Sequence, residues 1–316
     1  MTMVKVKGGI EILRLPVNEK EHVFPPWHMK YTESHILHSK CSKTGQEDNG
    51  CLDNENACQF CTYSRELEMI LPDMVFPNNV LRLKHKNGAF LEFKAFDALK
   101  RVASGKINIE LACAESWRET RQDNQEYLKE SIPPFDWTYT TEYMGTASGF
   151  KVENTDERID FEKLKRKDKI LFYVDLTLFE DELHDNGIAS MKVKMRVMPG
   201  TFYILLRYFL RIDNVMLRVN ETRIYHDLRK SYLLREFTSR EAKVQQLKHI
   251  HPAIFTLENE IAPLLPLVRS YYHKLIIDEL EQSPSNVVIP ASSSSDASST
   301  EVQSQESASP SESTKA

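Results

Sequence analysis

The chain has 316 residues, of which 41% are hydrophobic and 28% charged, a composition in the range of folded globular proteins. Net charge at neutral pH is −5, and Asp296, Glu301, Glu306 and Glu312 against Lys315 place −3 of it in residues 283–316. The body is left with −2, which excludes the strongly basic field that would hold nucleic acid or an anionic membrane surface.

Taken in chain order, Met1–Gly9 is polar and glycine-bearing and does not read as a signal peptide, so a soluble, cytoplasmic protein is expected. Cys41, Cys51, Cys58 and Cys61 come next, spaced C-x9-C-x6-C-x2-C in a stretch rich in glycine and asparagine. Four thiolates suit a tetrahedral zinc ion, with His28, His35 and His38 near enough in sequence to substitute. Only the Cys58–Cys61 pair has knuckle spacing, and the plain alternative is a polar surface loop that happens to carry cysteines. A zinc held by all four would be structural, because no coordination position stays open. No other cofactor is expected. Without a secretory signal, a disulfide framework is disfavoured.

Leu81, Leu83 and His85 alternate with Arg82, Lys84 and Lys86, and Ala89, Leu91, Phe93 and Ala95 alternate with Phe90, Glu92 and Lys94. Period-two patterns on both sides of Asn87-Gly88 predict a hairpin, because that dipeptide accepts the positive φ a tight turn needs. Asp97 is placed to N-cap a short helix over Ala98–Val102. Cys113, between two alanines, reads as core packing. Phe135–Tyr143 reads as an aromatic strand, and Asp160–Lys167 as a short charged helix. Lys169–Phe179 and Met191–Met198 alternate cleanly and predict strands with one buried face. Phe202–Ile212, at 11 residues and carrying Arg207 and Arg211, is too short and too charged to span a bilayer, and its start reads as a central strand or buried turn. A strand through Val215, Leu217 and Val219 is expected to turn at Asn220-Glu221 into Thr222–Asp227.

Two helices are expected near the end. Thr238 and Glu241 have capping-box spacing for one that runs to about His249, and Leu267, Tyr271 and Leu275 form a stripe on one from Pro266 to about Leu280. From Ser283 on, serine, proline, glutamate and glutamine dominate with no aromatic residue, so 283–316 is expected to be disordered. Hairpins in place of strand–helix alternation predict an α+β fold of antiparallel β-sheet with helices packed on it, as a single domain over 1–282 with its core at 70–277.

Chemistry is sparse. Glu180, Asp181, His184 and Asp185 are the one cluster that would serve a hydrolase, yet neighbours on a strand point to opposite faces, and the segment ends in Asn186-Gly187 between two strands. An exposed acidic turn is the simpler reading. Phosphate-cradling loops and nucleophile elbows are missing, and there are only 10 glycines from which to build them.

Six motifs carry a resemblance: ACAESW at 112–117, FDWTYTT at 135–141, FEDELHDNG at 179–187, RVMP at 196–199, FLRID at 209–213 and LREFTSRE at 234–241. Over about residues 70–277 the chain resembles the Tip-forty-one-like family of TOR-pathway regulators. The resemblance implies a family-specific α+β fold without enzymatic activity. It also implies binding to the catalytic subunit of type 2A-like Ser/Thr phosphatases, in part through that subunit's C-terminal tail, with an allosteric or inhibitory effect. Asp97 and Ile159 match family positions tied to phosphatase contact, and Glu221 stands where aspartate is more usual. Val219 replaces a usual methionine and Phe237 a usual tyrosine, the latter with loss of a phenolic hydroxyl. The cysteine loop 41–61 is an insertion relative to the family. The expected protein is therefore a partner-binding regulator, a monomer when unbound. The alternatives are a hydrolase built on 180–185 and a zinc-stabilised interaction scaffold.

Overall fold

The structure, a computed structural model, describes residues 2–5, 11–14, 17–44, 51, 57–102, 138–165 and 167–277. Cys113, the start of the aromatic segment at 135–137 and the serine-rich 283–316 lie outside the described residues.

A ribbon of β1 (Thr2–Lys5) and β2 (Glu11–Arg14) precedes two larger antiparallel sheets. The smaller runs β3 (Asn18–Phe24), β4 (Trp27–Glu33), β6 (Val80–His85), β7 (Phe90–Lys94) and β8 (Thr146–Ser148) in spatial order. Helices α1 (Gln59–Leu67) and α2 (Ala95–Leu99) lie along this part of the chain. The larger sheet opens with the two-residue β5 (Met74–Val75). It continues through β10 (Phe172–Asp181), β11 (Gly187–Met198), β12 (Thr201–Ile212), β13 (Met216–Asp227), β14 (Tyr232–Lys243) and β15 (Leu267–Ile277), and closes on β9 (Phe150–Asn154). Short helix α3 (Phe161–Leu164) precedes β10, and 3-10 turns with α4 (Glu258–Ile261) bridge β14 and β15. Antiparallel sheet with a few short helices is the α+β class the sequence predicts.

The hairpin at Asn87-Gly88 forms with a longer loop than a two-residue turn. Gly88 N–H donates to His85 O at 2.9 Å and His85 N–H to Ala89 O at 2.8 Å, and only Gly88, at φ +95°, takes the left-handed conformation. This is a three-residue loop in which glycine supplies the bulge and Asn87 Oδ1 accepts from Ala89 N–H at 2.9 Å.

Four expectations are corrected. The strand through Val219 does not turn at Asn220-Glu221: β13 runs unbroken, and Asn220 and Glu221 are buried at its centre. Neither terminal helix forms among the described residues. Thr238 and Glu241 lie within β14, where Glu241 pairs with Arg218 across the strands in place of a capping box, and the remainder is a 3-10 turn at Val244–Leu247. Leu267, Tyr271 and Leu275 belong to β15. Spacing of four and eight residues satisfies a period of 2 as well as one of 3.6, so that stripe cannot separate strand from helix. The described part of the aromatic segment, 138–143, is irregular chain.

The main core lies between the smaller sheet and the inner face of the larger one, joining Leu81, Leu83, Leu91 and Phe93 to Ile204, Leu206, Val193 and Leu176. Trp27, 1% exposed, is the central junction, with Phe202 at 5.5 Å and His226 at 5.7 Å, both edge-on, and His85 at 5.0 Å. Burial holds His226 neutral, with its pKa lowered to about 4. A depressed folded-state value means that stability is fully present above the free imidazole pKa of about 6.5 and is lost as pH falls toward 4, by up to about 3 kcal/mol. His273, lowered by burial and by Arg235, acts in the same sense. The unfolding midpoint should therefore drop between pH 6.5 and 4, and an NMR titration should place His226 below pH 5. A His226 midpoint at 6 or higher would refute the assignment.

Candidate functional site: the outer face of the large sheet

Residues on β11 to β14 alternate between the core and a second, outer face, and the outer face is layered by chemistry. At one end Phe209, Leu217, Val219 and Ala242 pack under Leu247, Ile250, Ile261 and Leu265. At the other, Met198, Tyr225 and Leu234 pack under Ile159 and Leu164. Between these apolar ends lie two polar rows, set by strand register. One crosses the sheet through Thr177, Lys192, Arg207, Glu221 and Thr238; the next passes through Asp175, Lys194, Leu205, Arg223 and Glu236.

Glu221 is the electrostatic centre. Only 2% of its side chain is exposed, and Arg207 donates to Oε1 from Nε at 2.8 Å and from Nη2 at 2.5 Å, while Arg223 pairs with Oε2. Arg207 also donates to Asn259 Oδ1 at 2.7 Å and lies 3.6 Å from Glu258, tying the bridge between β14 and β15 to the polar row. Lys192 joins Glu258 at 3.2 Å and Glu180 at 3.3 Å. With two hydrogen bonds from Arg207 on one oxygen and Arg223 on the other, the carboxylate is fully satisfied, the condition in which a buried charge is tolerated.

Ile159 reaches the same face by a different route. Asp160 caps α3, its Oδ1 accepting from Glu162 N–H at 3.0 Å, and this cap fixes the entry of the chain across the sheet. Ile159 N–H donates to Glu236 Oε1 at 2.7 Å, Glu236 stands opposite Arg223 in register, and the Arg223 guanidinium lies over the Phe161 ring at 5.3 Å. Glu157 anchors the start of this segment. Burial raises its pKa, but hydrogen bonds from Lys230, Tyr232 and Lys274 outweigh that and hold it at about 2. Ile159 and Glu221 are thus linked through Glu236 and Arg223, two residues whose part in the site sequence reasoning missed. The signal for Arg223 was the odd-numbered alternation Leu217, Val219, Glu221, Arg223, Tyr225 of β13, hidden by the apparent turn.

Asp97 is elsewhere. It lies in the first turn of α2 and does not cap it: Lys94 holds the N-cap position, and no side chain caps the helix. Its carboxylate accepts from Thr146 Oγ1 and pairs with Lys94 at 3.4 Å, with 21% of the side chain exposed. Tyr143 extends the chain, its hydroxyl donating to Glu92 O at 2.9 Å and lying 3.1 Å from Thr146 Oγ1. Ala98 O on the same helix accepts from Thr141 Oγ1 at 3.1 Å, and Thr141 O accepts from Asn220 Nδ2 at 2.9 Å. Asn220 faces inward while Glu221, the next residue, faces outward, so the sheet stands between Asp97 and the other two. Phe237 is also on the inner side, 1% exposed and stacked on Tyr271 at 5.6 Å.

The acidic segment 180–185 does not gather. Glu180 pairs with Lys192, whereas Asp181 is buried and accepts from Asp73 N–H at 2.9 Å and Leu183 N–H at 2.7 Å. His184 and Asp185 are exposed on the turn, with φ of +53° and +63°. Gly187 ends it at φ +150°, where a Cβ would fall 1.9 Å from Arg211 O, so the motif needs glycine there. The segment is a turn clamp, and these four side chains form no catalytic cleft.

The cysteines do converge. The sulfurs of Cys41, Cys51, Cys58 and Cys61 all lie within 4.8 Å of one another, and none is in a disulfide.

Comparison with known proteins adds the family. The model of the TIP41-like family matches residues 74–248. The chain is 44% identical over 267 residues to a human TIP41-like protein, covering 83% of this chain and 91% of that one. It is 41% identical over 247 residues to a TIP41-like protein of Caenorhabditis elegans, covering 77% and 85%. It is also 40% identical over 202 residues to the type 2A phosphatase activator TIP41 of Saccharomyces cerevisiae, covering 58% and 56%.

Proposed function

The chain belongs to the TIP41-like family, and from that membership we propose that it is a non-enzymatic regulator that binds the catalytic subunit of a type 2A-like Ser/Thr phosphatase. It acts in the cytoplasm as a component of TOR signalling. The observation that carries this reading is its identity to a relative named as a type 2A phosphatase activator. Glu180, Asp181, His184 and Asp185 lie apart, which counts against the hydrolase built on 180–185.

The outer face suits such a role. The Lys194 and Asp175 side chains are exposed and those of Lys192, Arg223 and Glu258 partly so, which offers donors and acceptors to an extended polypeptide, while buried Arg207, Glu221 and Glu236 hold these groups in place from beneath. The C-terminal tail of the phosphatase is its proposed occupant, with the segment that buried Ile159 anchors on the sheet forming one wall. Asp97 provides a second contact. The fungal relative's name favours raised phosphatase activity over inhibition.

Purified catalytic subunit should be retained by the immobilised chain with a Kd below about 1 μM. Asp97→Asn keeps the shape and removes the charge. It should weaken binding about tenfold, or 1.4 kcal/mol, with the unfolding midpoint almost unchanged. Failure to retain the wild-type subunit would overturn the proposal, and equal binding by the variant would remove Asp97 from the contact. Turnover measured in the same mixture gives the sign of regulation.

A further inference from the structure

We propose that Cys41, Cys51, Cys58 and Cys61 hold a structural zinc ion. A zinc–thiolate bond of about 2.3 Å sets the sulfurs of a tetrahedral site about 3.8 Å apart. Here Cys41 Sγ lies 3.5 Å from Cys51 Sγ and 3.8 Å from Cys58 Sγ, and no pair exceeds 4.8 Å. Iron–sulfur clusters place iron atoms and sulfides between their ligands and spread the cysteines further, so the fit is to a single ion. A tetrahedral all-thiolate donor set suits zinc or iron, and zinc, which has no redox chemistry, is the ion of a closed structural site.

Four further observations agree. Cys41, Cys51 and Cys61 are 1%, 6% and 0% exposed, which is unusual for a segment of this composition. Between Cys41 and Cys58 the only hydrophobic residues besides Cys51 are Leu52 and Ala57, so the segment has almost no apolar surface with which to hold itself together. A metal supplies that cohesion where a core cannot. Cys58 stands at the N-cap of α1 and Cys61 in its first turn, which presents both sulfurs to one point. The Cys58 N–H lies 3.4 Å from Cys51 Sγ and donates to it, the kind of supporting hydrogen bond that stabilises a thiolate ligand. Helix α1 carries the clamp onward, because Tyr63 and Leu67 are buried in the main core. Binding one zinc converts four thiols to thiolates, releases four protons and leaves the site with two negative charges.

This inference does not rest on the phosphatase reading. The cysteines precede the matched family segment at 74–248, and metal content is measured on the free chain. Full-length protein purified without chelator from zinc-replete cells should contain one zinc per chain by plasma mass spectrometry. Its four loop thiols should react with a thiol reagent only after chelation or unfolding. Cobalt added to the stripped protein should give the intense visible absorption of a tetrahedral tetrathiolate site. Cys58→Ser should lower zinc affinity by at least the roughly tenfold that loss of a supporting hydrogen bond costs. Cys113→Ser should leave the zinc content unchanged. Zinc-free protein that takes up no zinc on titration, disulfides among the four cysteines, or bound iron with sulfide would each overturn the proposal.

Discussion

Glu221→Ala should destabilise the fold by about 3–5 kcal/mol, because it strands two arginines that the carboxylate now neutralises. Arg207 has only 10% of its side chain exposed and donates two hydrogen bonds to Oε1, and Arg223 pairs with the other oxygen. Asn259 and Glu258 compensate Arg207 in part, which keeps the cost within that range. At roughly 2–4 °C per kcal/mol for a domain of this size, the unfolding midpoint should fall by about 10 °C. The companion variant is Glu221→Leu with Arg207→Met, in which the central pair is replaced by apolar groups of similar volume. It should recover much of the loss, since desolvating an ion pair consumes most of what the pair returns. Denaturant unfolding of the three proteins checks this. A single-variant cost below about 1 kcal/mol would mean that the row is hydrated and behaves as a surface network. Any loss of partner binding on changing Glu221 has to be read beside its stability, and Glu221→Asp, which keeps the charge, is the control.

Trp27→Ala should cost about 3–5 kcal/mol, the range for emptying an aromatic position in a core that cannot collapse around the void. The indole touches one sheet through its own strand and through His85, and the other through Phe202 and His226. The lining therefore comes from two rigid sheets, neither of which can move in without breaking its own ladder. Trp27→Phe should recover more than half of the loss, as measured by chemical denaturation with tryptophan-independent detection. A cost for Trp27→Ala of less than about 1.5 kcal/mol would mean that the sheets are not locked together at this point.

Legibility in the sequence followed burial pattern. Strands β6, β7, β10 and β11 have one polar face, and their alternation could be read directly. Strand β13 is buried on both faces over most of its length, so polar Asn220 and Glu221 looked like an interruption when they are the middle of a strand whose two sides have different neighbours. Strand β14 offered serine, threonine and glutamate at capping distance, but its Leu233, Arg235, Phe237 face was obscured by the equally buried Leu234, Glu236, Thr238 face. In β15, spacing alone could not choose a period. The same limits governed the site. Ile159 could be placed as a buried apolar residue, but its hydrogen bond to Glu236, 77 residues away, is a property of register that no local window contains. The cysteines could be listed from sequence, whereas their meeting at one point depends on how Cys41 and Cys51 return to the start of α1.

The placement of Asn220 and Glu221 back to back has a consequence for how a partner would hold on. A peptide strand laid along one side of a sheet cannot also touch a helix on the other side, so contacts at Glu221 and Asp97 belong to two separate portions of any protein that makes both. Each portion, once seated, keeps the other within reach, and their combined hold exceeds either alone without any added contact. A detached tail peptide would then compete for one grip and leave the second in place.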